Sequence, residues 1–418
     1  MTSDLSRRRF LALAGGAAGA AAAGALAWHE LLGDQVRGRA ADRAAGPAAA
    51  GRPDRVLVVV ELAGGNDGLN TLVPGDGRYR DARPTVAVPE ADLVALEGED
   101  RYGLHPALAG LAPRWETGQL AALQGVGFAD QSRSHFVATD VWRAGGALPF
   151  TRSWLGRWLD ATAGEVPEPL RAVALGTDSR VLAADSLSTV VTSPAAFRLS
   201  APAGPVTDPD ALIAAFAATS APVSRDPLLA AAQAVIPATL EGVDVLARAT
   251  GGVDPTQAVD PTPATTLLET AARLIALDVG TQVVVVGLEG YDTHANQPER
   301  HRTLLADLAG GLTAFLAAMA DQGRADDVLV VTTTEFGRRV AENASTGTDH
   351  GNGNTAFAIG PMVRGGIRGD LDLADLVDGD TRSEIDPRSL YANALDWLGA
   401  PTEEILGGNP DRYDLLRT

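Results

Sequence analysis

Residues 55–62 read RVLVVVEL and residues 328–333 read VLVVTT. Both runs are short, β-branched or aliphatic, and apolar at nearly every position. That is the mark of a strand covered on both faces, since a strand with one wet face alternates. Working outward, the same pattern recurs at 120–126, 173–175 and 281–288, and amphipathic stretches at 106–115, 135–143, 209–218, 265–278 and 298–322 read as helices. Fully apolar strands alternating with helices predict an α/β fold around a largely parallel sheet. Residues 220–263 read as helical or irregular, a cap insertion beside the sheet.

Composition narrows the chemistry. The 418 residues include no cysteine, and all 34 basic residues are arginine. Disulfides, thiolate nucleophiles and Cys-based zinc or iron–sulfur sites are therefore excluded. So are a Schiff-base lysine and a phosphate-loop lysine. A formal charge of −19 argues against nucleic acid, whose phosphates demand cations. With 45% hydrophobic residues the chain can bury a large core. No internal repeat or second linker is visible, so residues 55–418 are expected to form a single domain.

The first 27 residues read as an export address. Ser6-Arg7-Arg8-Arg9-Phe10-Leu11 is a twin-arginine signal, and Ala25-Leu26-Ala27 offers a cleavage site. The intervening Ala/Gly stretch is too weakly apolar for a stable membrane span. Residues 28–54, rich in Ala, Gly and Arg without a period, read as a flexible linker. The expected partner is the twin-arginine export machinery, and the expected location is the periplasm, cell envelope or exterior.

In an open parallel sheet ligands bind beyond the carboxyl ends of the strands, so the polar residues that follow each strand matter most. After the first strand comes Gly64-Gly65-Asn66-Asp67-Gly68, with glycines for a tight turn and Asp67 at the mouth. After the second comes Ser132-Arg133-Ser134-His135, where Ser134 is a helix N-cap beside amides that attract anions. Asp292-Thr293-His294 and Glu335-Phe336-Gly337-Arg338-Arg339 follow two later strands, and Asp349-His350-Gly351 lies in a Gly/Asn-rich loop. Of six histidines, three (His135, His294 and His350) fall in these segments. Oxygen and nitrogen donors without sulfur suit Mg²⁺, Mn²⁺, Ca²⁺ or an oxygen-rich Zn²⁺ site, with no choice among them from sequence.

These motifs, from residues 61–71 through Arg133-Ser134-His135-Phe136, Asp292-Thr293-His294, Thr334-Glu335-Phe336-Gly337-Arg338 and Asp349-His350-Gly351, resemble the domain-of-unknown-function 1501 family over about residues 55–399. That family in turn resembles the alkaline phosphatase and sulfatase superfamily. The resemblance implies a three-layer sandwich, with a mostly parallel central sheet flanked by helices. It also implies metals and a Ser/Thr nucleophile at the strand ends. Carried over by position, Asp67 matches a first-strand metal aspartate, Asp292 the aspartate of the second metal site, His350 a late histidine ligand and Ser134 the nucleophile, with Ser132 the second choice. The superfamily's Asp-His after the penultimate core strand is replaced here by Glu335-Phe336. Its histidine four residues after the Asp292 position is replaced by Asn296, with His294 two residues closer.

The resulting expectation is a hydrolase of small anionic phosphate or sulfate esters. One or two divalent cations on Asp67, Asp292, His294, Glu335 and His350 would lower the pKa of the Ser134 hydroxyl. Arg338, or else Arg133 or Arg339, would stabilise the charge, and His135 would act as acid or base. The alternative expectation is a catalytically inactive envelope protein that uses the same scaffold to bind an anion, glycan or protein partner.

Overall fold

The computed structural model describes residues 55–164, 168–193, 209–220, 225, 227–251 and 261–417. The expected leader and linker, and residues 221–224, 226 and 252–260 of the expected cap, lie outside the described residues.

The strands are β1 (Val56–Leu62), β2 (Leu72–Pro74), β3 (Val94–Leu96), β4 (Glu99–Leu104), β5 (Leu120–Val126), β6 (Ala172–Leu175), β7 (Thr189–Val191), β8 (Val283–Leu288), β9 (Val328–Thr333), β10 (Gly337–Glu342), β11 (Thr348–Gly351), β12 (Asn354–Ile359) and β13 (Gly366–Arg368). Eight form one sheet in the order β13-β5-β12-β9-β1-β8-β6-β7. All its pairings are parallel except those of β12, which runs antiparallel to both β5 and β9. The ends of β5, β9, β1 and β8 therefore reach one edge together, and β12 begins there.

The helices that position the site are α1 (Gly68–Thr71), α2 (His135–Ala144), α3 (Trp154–Ala161), α4 (Pro227–Ala249), α5 (Ala264–Ala276), α6 (Gln297–Asp321) and α7 (Pro387–Trp397). β1 shows why both faces are apolar. Val56, Val58, Val60 and Leu62 join one core with Leu268 of α5 and Leu308, Leu312 and Phe315 of α6. Leu57 and Val59 point the other way, into a second core with Trp154 and Trp158 of α3 and Tyr391 of α7. The period of two thus distributes one apolar run between two layers of helices. The expected α/β architecture, a mostly parallel sheet between helices, is what the chain adopts.

Three local differences have physical causes. Residues 106–115, expected as one helix, are a 3₁₀ turn (Pro106–Leu111) passing into a short α-helix (Ala112–Glu116), because Pro113 can open a helix but not continue one. β12, reading NTAFAI, hides its strand character behind a Gly/Asn-rich loop and small residues. The described part of the expected cap is α4, which buries Val245, Leu246 and Ala249 in the first core. Among the described residues α6 alone is long and apolar enough to cross a membrane; Leu305, Leu308, Leu312, Phe315 and Met319 are buried against the core instead.

Candidate functional site

The loop after β1 turns sharply through Gly64 (φ +120°) and Gly65 (φ +77°). A Cβ on Gly64 would stand 2.3 Å from the Asp292 backbone nitrogen, and one on Gly65 2.3 Å from the Phe336 ring. Glycine here is what lets the loops of β1, β8 and β9 touch.

At that junction Asp292, half exposed, is the hub. Its Oδ1 lies 3.1 Å from His294 Nε2 and 3.1 Å from His350 Nε2, and those two nitrogens are 2.9 Å apart. Its Oδ2 lies 3.4 Å from His135 Nε2. The ligand atoms of His135, Asp292 and His350 all fall within 4.8 Å of one another. Each imidazole is also held from behind at Nδ1. His135 meets Glu335 Oε1 at 2.7 Å, His350 meets the Arg133 carbonyl at 2.8 Å, and His294 meets Asp349 Oδ1 at 3.2 Å. A hydrogen on each Nδ1 satisfies all three acceptors and leaves each Nε2 a lone pair facing Asp292.

The charges follow. The Glu335 hydrogen bond raises the His135 pKa, while burial lowers that of His350. Burial would lift Asp292, but the hydrogen bond and charge of Arg338 outweigh it and hold the carboxyl down at about 2. Burial likewise opposes ionisation of Glu335, yet His135 and the Gly64 N–H, 2.9 Å away, keep its pKa below the usual carboxylate range.

Not every expected residue meets at this point. Asp67 is fully buried and is not among these ligand atoms. It caps α1 by accepting from Asn70 N at 3.2 Å, pairs with Arg83 at 2.7 Å and accepts from Gln297. Burial would raise its pKa, but the Arg83 charge keeps it low. Glu335 stands behind His135 rather than beside Asp292, so it orients an imidazole. Arg338, expected to face substrate, is buried. Its guanidinium donates to the carbonyls of Gly64, Gly65, Tyr291 and Thr348 and, at 2.7 Å, to Asp292 Oδ1. Those bonds engage all three of its nitrogens, and the side chain is wholly shielded from solvent.

Ser134 is exposed at the N-cap of α2, yet its hydroxyl caps nothing. Ser132 Oγ accepts from the N-cap residue's own N–H, Ser134 N, at 3.2 Å. Sequence reasoning missed Asp349 as a partner of His294, and Asn343, whose Nδ2 donates to the His294 carbonyl at 3.0 Å and to Asp349 at 3.1 Å. Both belong to the β10–β11 hairpin, which no apolar period announces.

Residues 225–414 match the DUF1501 family, described as a protein of unknown function. The resemblance read from the motifs holds over that segment, which contains Asp292, His294, Glu335 and His350. The β1 loop and residues 132–136 precede it. No curated protein matches the chain in sequence.

Among solved structures the chain is similar to an alkaline phosphatase superfamily protein from Vibrio parahaemolyticus (9% identity, 83% of this chain and 67% of that one, TM-score 0.38). It is also similar to the lipoteichoic acid synthase LtaP from Listeria monocytogenes (10%, 87% and 76%, 0.37) and to the PsFucS1 sulfatase from Pseudoalteromonas sp. (12%, 85% and 70%, 0.37). At such identities nothing about substrate or chemistry passes from them to this chain.

Proposed function

We propose that this chain is an exported, metal-dependent hydrolase of phosphate or sulfate esters. Asp292, His294, His350 and His135 hold a divalent cation, and Ser134 is the nucleophile. One observation carries the reading: three imidazoles, each fixed at Nδ1, turn their Nε2 lone pairs onto one carboxylate. Acceptors do not crowd to about 3 Å without a cation or protons among them. Three nitrogens and an oxygen suit Zn²⁺ or another transition ion better than Ca²⁺ or Mg²⁺. Export rests on the twin-arginine leader.

When bound, the cation would polarise a non-bridging ester oxygen and acidify an adjacent hydroxyl. The chain's own groups do the rest. Glu335 and Asp349 fix the tautomers of His135 and His294, so that Nε2 is the donor atom in each. Arg338 orients Asp292 from below. The uncommitted Ser134 hydroxyl, one residue from His135, is available to attack, and the first-turn amides of α2 lie where negative charge would gather.

The test is metal analysis of the purified chain, paired with turnover of p-nitrophenyl phosphate and p-nitrophenyl sulfate. One equivalent of a divalent transition ion is expected, lost in Asp292→Asn, and Ser134→Ala should lower kcat by about 10³-fold or more. A wild-type chain that retains no ion would sink the reading. One that retains an ion but turns over neither ester would be the binding protein of the alternative.

A further inference from the structure

Among the described residues Phe136 is 88% exposed, whereas the next most exposed large apolar side chain, Leu148, is 55% exposed. It belongs to none of the three apolar clusters of the fold. Leaving a phenyl ring in water forgoes about 2 kcal/mol of burial. Single exposed apolar residues are common, but this one directly follows His135 in the first turn of α2. Helical side chains lean toward the N-terminus of their helix, so the ring leans toward the end of α2 that carries Ser134 and His135. Its neighbour Val137 is also exposed, at 44%, so the apolar surface continues along the helix start. The inner face of α2 is occupied separately, by Ala138, Trp142 and Ala144. Phe136 therefore has no packing duty in the fold and shares the first turn of α2 with His135.

We infer that Phe136 is a substrate platform, on which the leaving group of the ester lays the flat face of a sugar or aryl ring. This rests on the ester-hydrolase reading above and sharpens its substrate class from any anionic ester to esters of ring-bearing alcohols. An aromatic face gains contact area and quadrupole attraction from such a ring, and almost nothing from a methyl group.

The test uses the metal-loaded full chain and two pairs of non-hydrolysable anions: phenylphosphonate with methylphosphonate, and benzenesulfonate with methanesulfonate. Binding is followed by calorimetry. In the wild type the ring-bearing member of at least one pair should bind about tenfold more tightly than its methyl partner. Phe136→Ala should bring the two within about twofold by weakening only the ring-bearing member, and Phe136→Tyr should retain the preference. Because the side chain is exposed, neither variant should lower the thermal midpoint, so a folding defect cannot produce this pattern. A ring preference that is absent, or that survives Phe136→Ala, overturns the platform and leaves the hydrolase reading standing. Failure of all four anions to bind the wild type removes both. Sedimentation with phosphatidylglycerol vesicles that depends on Phe136 would make the ring a membrane contact and overturn the platform too.

Discussion

The guanidinium of Arg338, wholly shielded from solvent, lies 2.7 Å from Oδ1 of Asp292, whose side chain is 45% exposed. A buried cation thus holds the one carboxylate on which three imidazoles converge, and binds the loops of β1, β8 and the β10–β11 hairpin to it.

Arg338→Met removes that charge and leaves four buried carbonyls short of donors. Breaking such a buried set typically costs about 3–5 kcal/mol, which a urea denaturation curve would show as a lower midpoint. Metal content should fall as well, because Asp292 loses its anchor. Unchanged stability would mean that the loops are held some other way.

Asp67 and Arg83 are both fully buried, 2.7 Å apart. Asp67→Asn should destabilise the fold by about 3 kcal/mol or more, because Arg83 is left unpaired, while bound metal stays near one equivalent. The double change Asp67→Leu/Arg83→Met should cost less than the sum of the two single changes. Loss of metal in a folded Asp67→Asn chain would return this aspartate to the ligand set.

Glu335→Gln keeps a hydrogen-bond acceptor for His135 but removes the charge behind it. Partners of this kind typically contribute 10- to 100-fold in metal affinity, to be read by competition with a chromogenic chelator. Equal affinity in variant and wild type would separate Glu335 from the site.

His301 is buried against Asn66, and desolvation pushes its pKa down to about 3. The unfolded chain binds this proton near pH 6.5 and the folded chain does not, so stability should fall as pH drops from about 6.5 toward 3. The slope is about 1.4 kcal/mol per pH unit for this one group. Urea melts of wild type and His301→Asn between pH 6 and 4.5 should diverge by that slope. Parallel curves would show that His301 takes up its proton in the folded state.

Much of the fold was legible because its signal is local. Apolarity at consecutive positions marks β1, β5, β8 and β9, and the motifs after them hold His135, Asp292 and His294. The illegible parts depend on long-range geometry. Nothing near Asp67 in sequence announces Arg83, sixteen residues on, as its counter-charge. Glu335 was rightly placed at a strand end, but whether it stands in front of an imidazole or behind one is fixed by the Gly64 N–H it accepts. Arg338, in the motif after β9, is expected from sequence to face substrate charge. Only the packing of three loops shows that its guanidinium is sealed from solvent. β12 escaped notice because Ala and Asn carry weak strand preference.

β12 has a consequence of its own. It alone joins β5 to β9, so without it the sheet splits into a β13–β5 raft and a β9–β1–β8–β6–β7 raft. His135 follows the first raft and Asp292 the second. During synthesis, the two halves of the pocket cannot be sealed together until the ribosome has released residue 359, more than two hundred positions after His135 has emerged. A nascent chain stalled between residues 350 and 359 would carry every proposed ligand and still lack the strand that joins the two rafts.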